Sequence, residues 1–294
     1  GGDVNAISVV EEASLNPTPI SPNVRMNVLL ASVIGLVLAI AGVVLIEYLD
    51  DTVKTAEDVN RVAGLATIGG ITRIEGADYP AKLVAANKPL SPTAEAFRVL
   101  RTNLQFSSVD HPPRSVMLTS PGPSQGKSVI LANLAVVVAQ SGLRVVLVVT
   151  DLRRPVQHKI FGLPNRHGFS DAILSSHNDL RQHLQKTQVD NLWLLSSGSL
   201  PPNPAELLAS ERMKELIAAL EEIADLVLYD SPPGLVVTDA MVLGTRVGGV
   251  VLVADVGRTR TSELRMVVDE LKRVRINLFG VVLNRISGGG AGYY

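Results

Sequence analysis

The segment from residue 115 to residue 142 constrains the fold of this chain most strongly, because an apolar strand, a glycine-containing loop and an apolar helix follow one another there. SVMLTS (115–120) predicts a buried strand, and VILANLAVVVAQSG (129–142) predicts a helix packed against a parallel sheet. The loop between them reads PGPSQGKS (121–128). This order of strand, loop, Gly-Lys-Ser and helix is the context of a Walker A phosphate-binding loop.

The parts of this loop have separate physical roles in binding a polyphosphate. Backbone N–H groups of the loop and of the helix N-terminus surround the phosphate oxygens, the Lys127 ammonium adds a positive charge, and the Ser128 hydroxyl is placed to bind magnesium. The predicted binding residues are Gly122, Pro123, Ser124, Gln125, Gly126, Lys127, Ser128 and Val129. The loop departs from the usual spacing in one respect, since Pro121 stands where glycine is expected.

Two further apolar strands lead into an aspartate. Arg144–Val149 runs into Asp151, and Asp225–Tyr229 ends at Asp230. In an open parallel sheet, carboxylates at the C-terminal strand ends face the crevice where ligands bind. A helix N-cap is the usual alternative for a lone aspartate of this kind, but these features in order after Gly-Lys-Ser favour a site. We therefore predict an α/β fold, a P-loop NTPase with a mostly parallel sheet flanked by helices, in which Asp151 and Asp230 bind magnesium.

Composition excludes several other classes of protein. Of the 294 residues 46% are hydrophobic, which rules out a mostly disordered chain. The net charge of −1 argues against a non-specific nucleic-acid binder, so we expect no nucleic-acid partner. The chain has no cysteine, which excludes disulfide scaffolds, zinc-thiolate sites, iron–sulfur clusters and cysteine nucleophiles.

Residues 26–46 form an uncharged, strongly apolar run that predicts a membrane-spanning helix. A buried core helix and a signal peptide are the alternatives; the first would show a polar side, and the second would start nearer residue 1. Only Arg25 is basic on the N-terminal side, whereas Lys54 and Arg61 follow the run, which favours a cytoplasmic C-terminal side. The phosphate-binding loop follows the run in the sequence, and ATP is cytoplasmic, which agrees with that orientation.

With these motifs, the sequence resembles the bacterial tyrosine kinases (BY-kinases) of the exopolysaccharide and capsule co-polymerase group. The resemblance covers nearly the whole chain. SPTAEAFRVLRTNLQF resembles the helix that opens the kinase domain, TSPGPSQGKS its Walker A motif, TDLRRP its second acidic motif and LYDSPP its Walker B motif, and LPPNPAELL, VTDA and GVVLNR match segments between and after these motifs. The proline-rich lead, the apolar run and EYLDDTVKTAEDV resemble the end of a polysaccharide chain-length determinant domain and its exit into the cytoplasm.

The resemblance implies a domain organisation and a reaction. The expected domains are 1–25 (extracytoplasmic end of the chain-length determinant domain), 26–47 (transmembrane helix), 48–90 (juxtamembrane linker), 91–287 (P-loop tyrosine kinase domain) and 288–294 (flexible Gly/Tyr tail). The implied reaction is transfer of the ATP γ-phosphoryl group to tyrosine in the presence of Mg²⁺, with Lys127, Asp151 and Asp230 as catalytic residues. The implied partners are further copies of the chain, the polysaccharide export and polymerisation machinery, and a tyrosine phosphatase.

The resemblance also assigns residues outside these motifs. It implies that Glu95, Arg98 and Arg101 join subunits into a ring, that Asn284 and Arg285 lie near the adenine, and that the tail tyrosines, Tyr293 and Tyr294, accept phosphate. Each has a plainer alternative: a solvated helix face with an ion pair three residues apart, a strand-end turn, and a chain end without a role.

Two departures from the family pattern keep other functions open. The family's second acidic motif carries two acids, and Val149 stands where the first is expected, which favours a non-catalytic ATP-binding scaffold as one alternative. A partitioning-type ATPase of the ParA/MinD kind is the other alternative, but those proteins place a second lysine where this chain has Gly122.

Overall fold

The computed structural model describes residues 21–107, 112–174, 180–235 and 238–287, and it divides the chain into two compact units, residues 1–50 and 51–294. The first unit contains one described helix, α1 (Val24–Leu49). The most apolar stretch of 18 residues in this helix has a mean hydropathy of 3.0, and no residue of the helix is buried within the protein. At about 1.5 Å per residue the helix exceeds a hydrocarbon core of about 30 Å, so its length and composition suffice to span a membrane.

The second unit alternates helices with strands. Its described helices are α2 (Ala56–Ala63), α3 (Val84–Asn87), α4 (Pro92–Gln105), α5 (Lys127–Ala139), α6 (Gln157–Phe161), α7 (Phe169–Ala172), α8 (Leu180–His183), α9 (Pro204–Ala209), α10 (Glu211–Ile223), α11 (Asp239–Gly244) and α12 (Thr261–Arg273). Its described strands are β1 (Thr67–Thr72), β2 (Ser115–Thr119), β3 (Val145–Val149), β4 (Gln185–Lys186), β5 (Leu192–Leu195), β6 (Leu226–Asp230), β7 (Gly249–Asp255) and β8 (Leu278–Ile286).

The eight strands form one sheet in the order β1-β8-β7-β2-β6-β3-β5-β4. Every neighbouring pair is parallel except β4 and β5, which are antiparallel. The predicted α/β fold with a mostly parallel sheet is confirmed. Because β2, β6 and β3 are neighbours and parallel, the residues that follow them meet at one edge of the sheet.

The sheet is apolar on both faces, as parallel sheets covered by helices are. Alternate residues of β3 belong to two separate apolar clusters: Val146 and Val148 lie in one, and Leu147 and Val149 lie in the other. Helix α5 is buried in the second of these clusters along nearly its whole length, which explains its lack of a polar side.

The expected juxtamembrane linker covers residues 48–90, but residues 51–90 of this stretch are part of the second unit, so that unit begins well before residue 91. Strand β1 pairs in parallel with β8, and helix α4 packs so closely on it that a Cβ at Gly69 would lie 3.0 Å from the Leu100 side chain. In the sequence, the adjacent glycines Gly69 and Gly70 suggest a linker, but in the structure Gly69 lies at a close contact between a helix and a strand. Farther along, the Asn133 side chain on α5 accepts the N–H of Ala85 at 2.8 Å.

Candidate functional site

The phosphate loop connects β2 to the first residue of α5. Its backbone enters the left-handed region at Ser124 (φ 61°) and Gly126 (φ 90°). The Asn284 side chain occupies the space that a Cβ on Gly126 would need, so this position accepts glycine alone. This turn starts α5 directly after the loop, and the unpaired N–H groups of its first turn are therefore available to an anion.

The end of β8 supports the same loop from the side. The Asn284 Nδ2 atom donates to the Gln125 carbonyl at 2.8 Å, and the Arg285 Nη2 atom donates to the Ser124 carbonyl at 3.3 Å. Arg285 itself takes a left-handed backbone (φ 59°) and forms an ion pair with Asp255, which is buried at the end of β7. Both residues that the family resemblance places near the adenine therefore touch the phosphate loop.

Lys127 lies between two buried carboxylates. Its Nζ atom is 3.0 Å from the Asp151 Oδ2 atom and 4.0 Å from the Asp230 Oδ1 atom. The exposed fractions of these three side chains are 12%, 6% and 1%, so water screens their charges little. The structure thus brings together the three residues that the sequence analysis selected as catalytic.

Asp230 is the most enclosed of these groups. Its Oδ1 atom accepts the Ser128 hydroxyl at 3.1 Å, and its Oδ2 atom accepts the Gln157 amide at 2.9 Å. Burial raises the pKa of Asp230, while the charge of Lys127 acts in the opposite direction.

Asp151 differs from Asp230 because it lies in a loop. Its Oδ1 atom accepts the backbone N–H groups of Arg153 at 3.3 Å and Arg154 at 3.0 Å, so the carboxylate also shapes the turn that follows β3. The Arg153 side chain then donates to the buried Asp239 at 3.0 Å. The capping alternative is therefore partly correct for Asp151, since one oxygen caps backbone groups and the other binds Lys127.

These residues fit a polyphosphate with a divalent cation. The Ser128 hydroxyl and the carboxylates of Asp151 and Asp230 are the oxygen donors that Mg²⁺ prefers. The Lys127 ammonium and the backbone N–H groups at the start of α5 suit phosphate oxygens. The site could therefore hold a nucleotide phosphate chain and its magnesium ion.

Val149 lies beside the Asp230 carboxylate but adds no charge to the site. The two residues are partners in the register of β3 and β6, and Val149 is fully buried in the apolar cluster that also contains Ile160. An acid at this position would therefore lie on the same side of the sheet as Asp230.

Helix α4 presents the predicted charged stripe only in part. The Arg98 Nη1 atom is 2.7 Å from the Glu95 carboxylate, and Arg98 also donates to the Pro89 carbonyl at 2.7 Å. Arg101 instead turns toward α5, where its Nη1 atom donates to the Val137 carbonyl at 3.2 Å. The opposite face of α4, with Ala94, Phe97, Leu100 and Leu104, is buried as its spacing predicts.

The tyrosines differ in their access to solvent. Tyr293 and Tyr294 lie outside the described residues. Tyr229 is fully buried, and burial raises its pKa well above the ordinary value. Tyr48 and Tyr79 are exposed.

Sequence reasoning missed two residues that touch this site. Asp255 ends β7 as Asp230 ends β6, so the strand-end rule that selected Asp151 and Asp230 would also have selected it. Gln157 carries no such signal, because a neutral residue at the start of a five-residue helix has no distinguishing pattern.

Comparisons with known proteins show the family to which the chain belongs. Residues 116–292 match the family described as the CobQ/CobB/MinD/ParA nucleotide binding domain. The tyrosine-protein kinase YwqD of Bacillus subtilis is 40% identical over 209 residues, which cover 71% of this chain and 88% of YwqD. The tyrosine-protein kinase Wzc of Salmonella typhimurium is 32% identical over 307 residues, which cover 99% of this chain.

The solved kinase domain of the Escherichia coli tyrosine kinase ETK superposes with a TM-score of 0.74 at 29% identity and covers 82% of this chain and 98% of that domain. The chain spans 42% of the length of Wzc. The resemblance drawn from the sequence motifs is confirmed. This chain belongs to the bacterial protein-tyrosine kinases, within the CobQ/CobB/MinD/ParA nucleotide-binding domain family.

Proposed function

We propose that this chain is a membrane-tethered protein-tyrosine kinase that transfers the γ-phosphoryl group of ATP to tyrosine side chains, among them Tyr293 and Tyr294 of a neighbouring copy. The observation that carries the proposal is the position of Lys127, 3.0 Å from Asp151 and 4.0 Å from Asp230 at the start of α5. A positive charge between two carboxylates, next to the Ser128 hydroxyl, is suited to phosphoryl transfer.

In this proposal the protein acts by positioning and by neutralising charge rather than by covalent chemistry. Lys127 and the N–H groups at the start of α5 bind the outer phosphate oxygens. Ser128, Asp151 and Asp230 bind Mg²⁺, which when bound neutralises charge on those oxygens. Asp151, which is less enclosed than Asp230, is the carboxylate proposed to take the proton of an incoming tyrosine hydroxyl.

The proposed location is the plasma membrane, with α1 spanning it and the kinase unit in the cytoplasm. The basic residues Lys54 and Arg61 after the helix, against Arg25 before it, support this orientation. The proposed role is control of exopolysaccharide or capsule chain assembly and export, in contact with the polymerisation and export machinery. A tyrosine phosphatase is the expected antagonist.

Phosphotyrosine mass spectrometry of the full chain after incubation with Mg-ATP tests the reaction. We expect phosphate on Tyr293 and Tyr294, and its loss from those positions when both are replaced by Phe. Tyr229, which is fully buried, should stay unmodified and serves as an internal control. ATP hydrolysis without phosphotyrosine would instead support an ATPase of the ParA/MinD kind.

A non-catalytic scaffold is the second candidate, and Val149 is the observation that favours it. The apolar side chain lies beside Asp230, where a second acid would help to bind magnesium. Tight ATP binding with neither hydrolysis nor phosphotyrosine would support the scaffold.

The proposed assembly is a ring of copies joined through Glu95, Arg98 and Arg101. Replacing all three by Ala should give a folded but monomeric 51–294 fragment, whose mass is measured by light scattering. Because Arg101 also donates to α5, the double variant Glu95→Ala/Arg98→Ala separates loss of assembly from loss of packing.

The matched control for this experiment is Glu211→Ala/Lys214→Ala. That pair has the same spacing and the same 2.7 Å ion-pair distance, but it lies on α10. We expect the control to keep the wild-type mass. A triple variant that also keeps the wild-type mass would show that the α4 stripe is a solvated face.

A further inference from the structure

Gln157 is a buried neutral side chain that contacts two groups of the proposed magnesium site. Its Nε2 atom donates to the Asp230 Oδ2 atom at 2.9 Å and to the Ser128 carbonyl at 2.9 Å. The residue has no exposed surface. One amide therefore joins the end of β6 to the first turn of α5.

The orientation of this amide follows from its surroundings. Both nearby atoms, a carboxylate oxygen and a backbone carbonyl, can only accept hydrogen bonds, so the NH₂ group must face them. The Gln157 Oε1 atom then points away and has no partner among the described residues. A methionine of similar size would avoid that buried, unpartnered oxygen, so the amide is not explained by packing alone.

The helix that carries Gln157 is itself fixed. Ile160 and Phe161 are buried in the apolar cluster that also contains most of α5, and α6 contacts α5. The amide is thus held on a rigid element, and its two hydrogen bonds limit how Asp230 can rotate.

The two oxygens of Asp230 have different partners as a result. Oδ2 faces Gln157, whereas Oδ1 faces the Ser128 hydroxyl and lies 4.0 Å from the Lys127 ammonium. Any rotation of the carboxylate short of a half-turn would move both oxygens away from these donors and would leave a buried oxygen without a hydrogen bond.

We propose that Gln157 is a positioning residue. It keeps Asp230 Oδ1 directed at the phosphate loop and links the Asp230 carboxylate to the Ser128 backbone, so that Asp230 Oδ1 and the Ser128 hydroxyl form a preformed pair of oxygen ligands for Mg²⁺. This inference rests on the proposed function, since it concerns the magnesium site of that reaction. Replacing a residue that hydrogen-bonds to a metal ligand, but does not bind the metal itself, typically changes metal affinity by about 10–100-fold.

The test uses the full chain in detergent micelles and a fluorescent, non-hydrolysable ATP analogue titrated at a series of Mg²⁺ concentrations. For Gln157→Met we expect the Mg²⁺ concentration at half-saturation to rise about tenfold or more. Binding of the analogue without Mg²⁺ should stay close to wild type. Equal weakening with and without Mg²⁺ would indicate a structural role only and would overturn the proposal.

Gln185→Met is the matched control. Its Nε2 atom also donates one hydrogen bond of 2.9 Å, to Ser196, and its Oε1 atom is likewise buried without a described partner, but it lies on the edge strand β4. We expect no change in the Mg²⁺ midpoint for this variant, and a shift equal to that of Gln157→Met would contradict the proposal.

A second variant keeps the test decisive if Gln157→Met does not fold, as judged by circular dichroism. Gln157→Asn retains a polar amide but is one methylene shorter, so it cannot reach both acceptors, and the same shift in the Mg²⁺ midpoint is expected. An unchanged midpoint in a folded Gln157 variant overturns this inference alone. A wild-type chain that does not bind the analogue, with or without Mg²⁺, overturns the proposed function as well.

Discussion

Replacing Lys127 by Met is expected to abolish measurable tyrosine phosphorylation and to weaken ATP binding. The Nζ atom lies within 4.0 Å of two buried carboxylates, at the point where α5 begins. A charged hydrogen bond is worth about 1.5–3 kcal/mol, which corresponds to roughly 10–100-fold in nucleotide affinity. Loss of a positioned donor to a developing charge lowers the rate by about 10²–10³-fold.

The same substitution should also lower the free energy of unfolding. Without the ammonium, Asp151 and Asp230 lose the positive charge that lies next to both of them, and breaking a buried ion pair costs about 3 kcal/mol. We expect the variant to fold, because the apolar clusters on both faces of the sheet are unchanged, but to unfold at a lower temperature. The measurements are calorimetric titration with Mg-ATP and thermal unfolding.

Lys159→Met is the control for Lys127→Met. Lys159 is exposed on α6, close to the site in sequence but without a carboxylate partner among the described residues. The control should keep both nucleotide affinity and stability. If Lys127→Met binds Mg-ATP as tightly as wild type, the assignment of the phosphate loop is wrong.

The second large effect expected is a gain of activity in Val149→Asp. The new carboxylate would lie beside Asp230 in the strand register and on the same face of the sheet. There it could add a ligand for magnesium and accept the proton of a tyrosine hydroxyl. General-base assistance of this kind is typically worth about 10²–10⁴-fold in rate.

The structure also defines the risk in this substitution. Val149 is fully buried in an apolar cluster, and the new acid would meet the Asp230 carboxylate without a cation between them. An unpaired buried polar group costs a few kcal/mol, so Mg²⁺ should be present during folding and assay. Phosphate incorporation is therefore measured per folded molecule, with folding checked by circular dichroism.

Val149→Asn separates charge from shape in this experiment. The amide has nearly the size of the carboxylate but cannot take a proton, so we expect it to give no gain. A folded Val149→Asp protein that is no faster than wild type would have one of two meanings. Either Asp151 already supplies all of the general-base assistance, or the first acid of the family's second acidic motif corresponds to another position of this chain.

Local sequence patterns were sufficient to predict the α/β class and the main parts of the candidate site. A Gly-Lys-Ser loop after an apolar strand, and aspartates at two other strand ends, are features of short segments. Once the strands are parallel, their C-terminal ends share one edge of the sheet, so Lys127, Asp151 and Asp230 had to lie near one another.

Other contacts depend on the strand order, which no short segment contains. Asn284 reaches the Gln125 carbonyl only because β8 is separated from β2 by β7 alone, and β1 joins the sheet although its glycines read as a linker. Gln157 meets Asp230 across 73 positions of sequence. Motifs of charged residues and glycine revealed the groups suited to phosphate chemistry, whereas the neutral side chains that orient them became visible only in the packed structure, because their partners are distant in sequence.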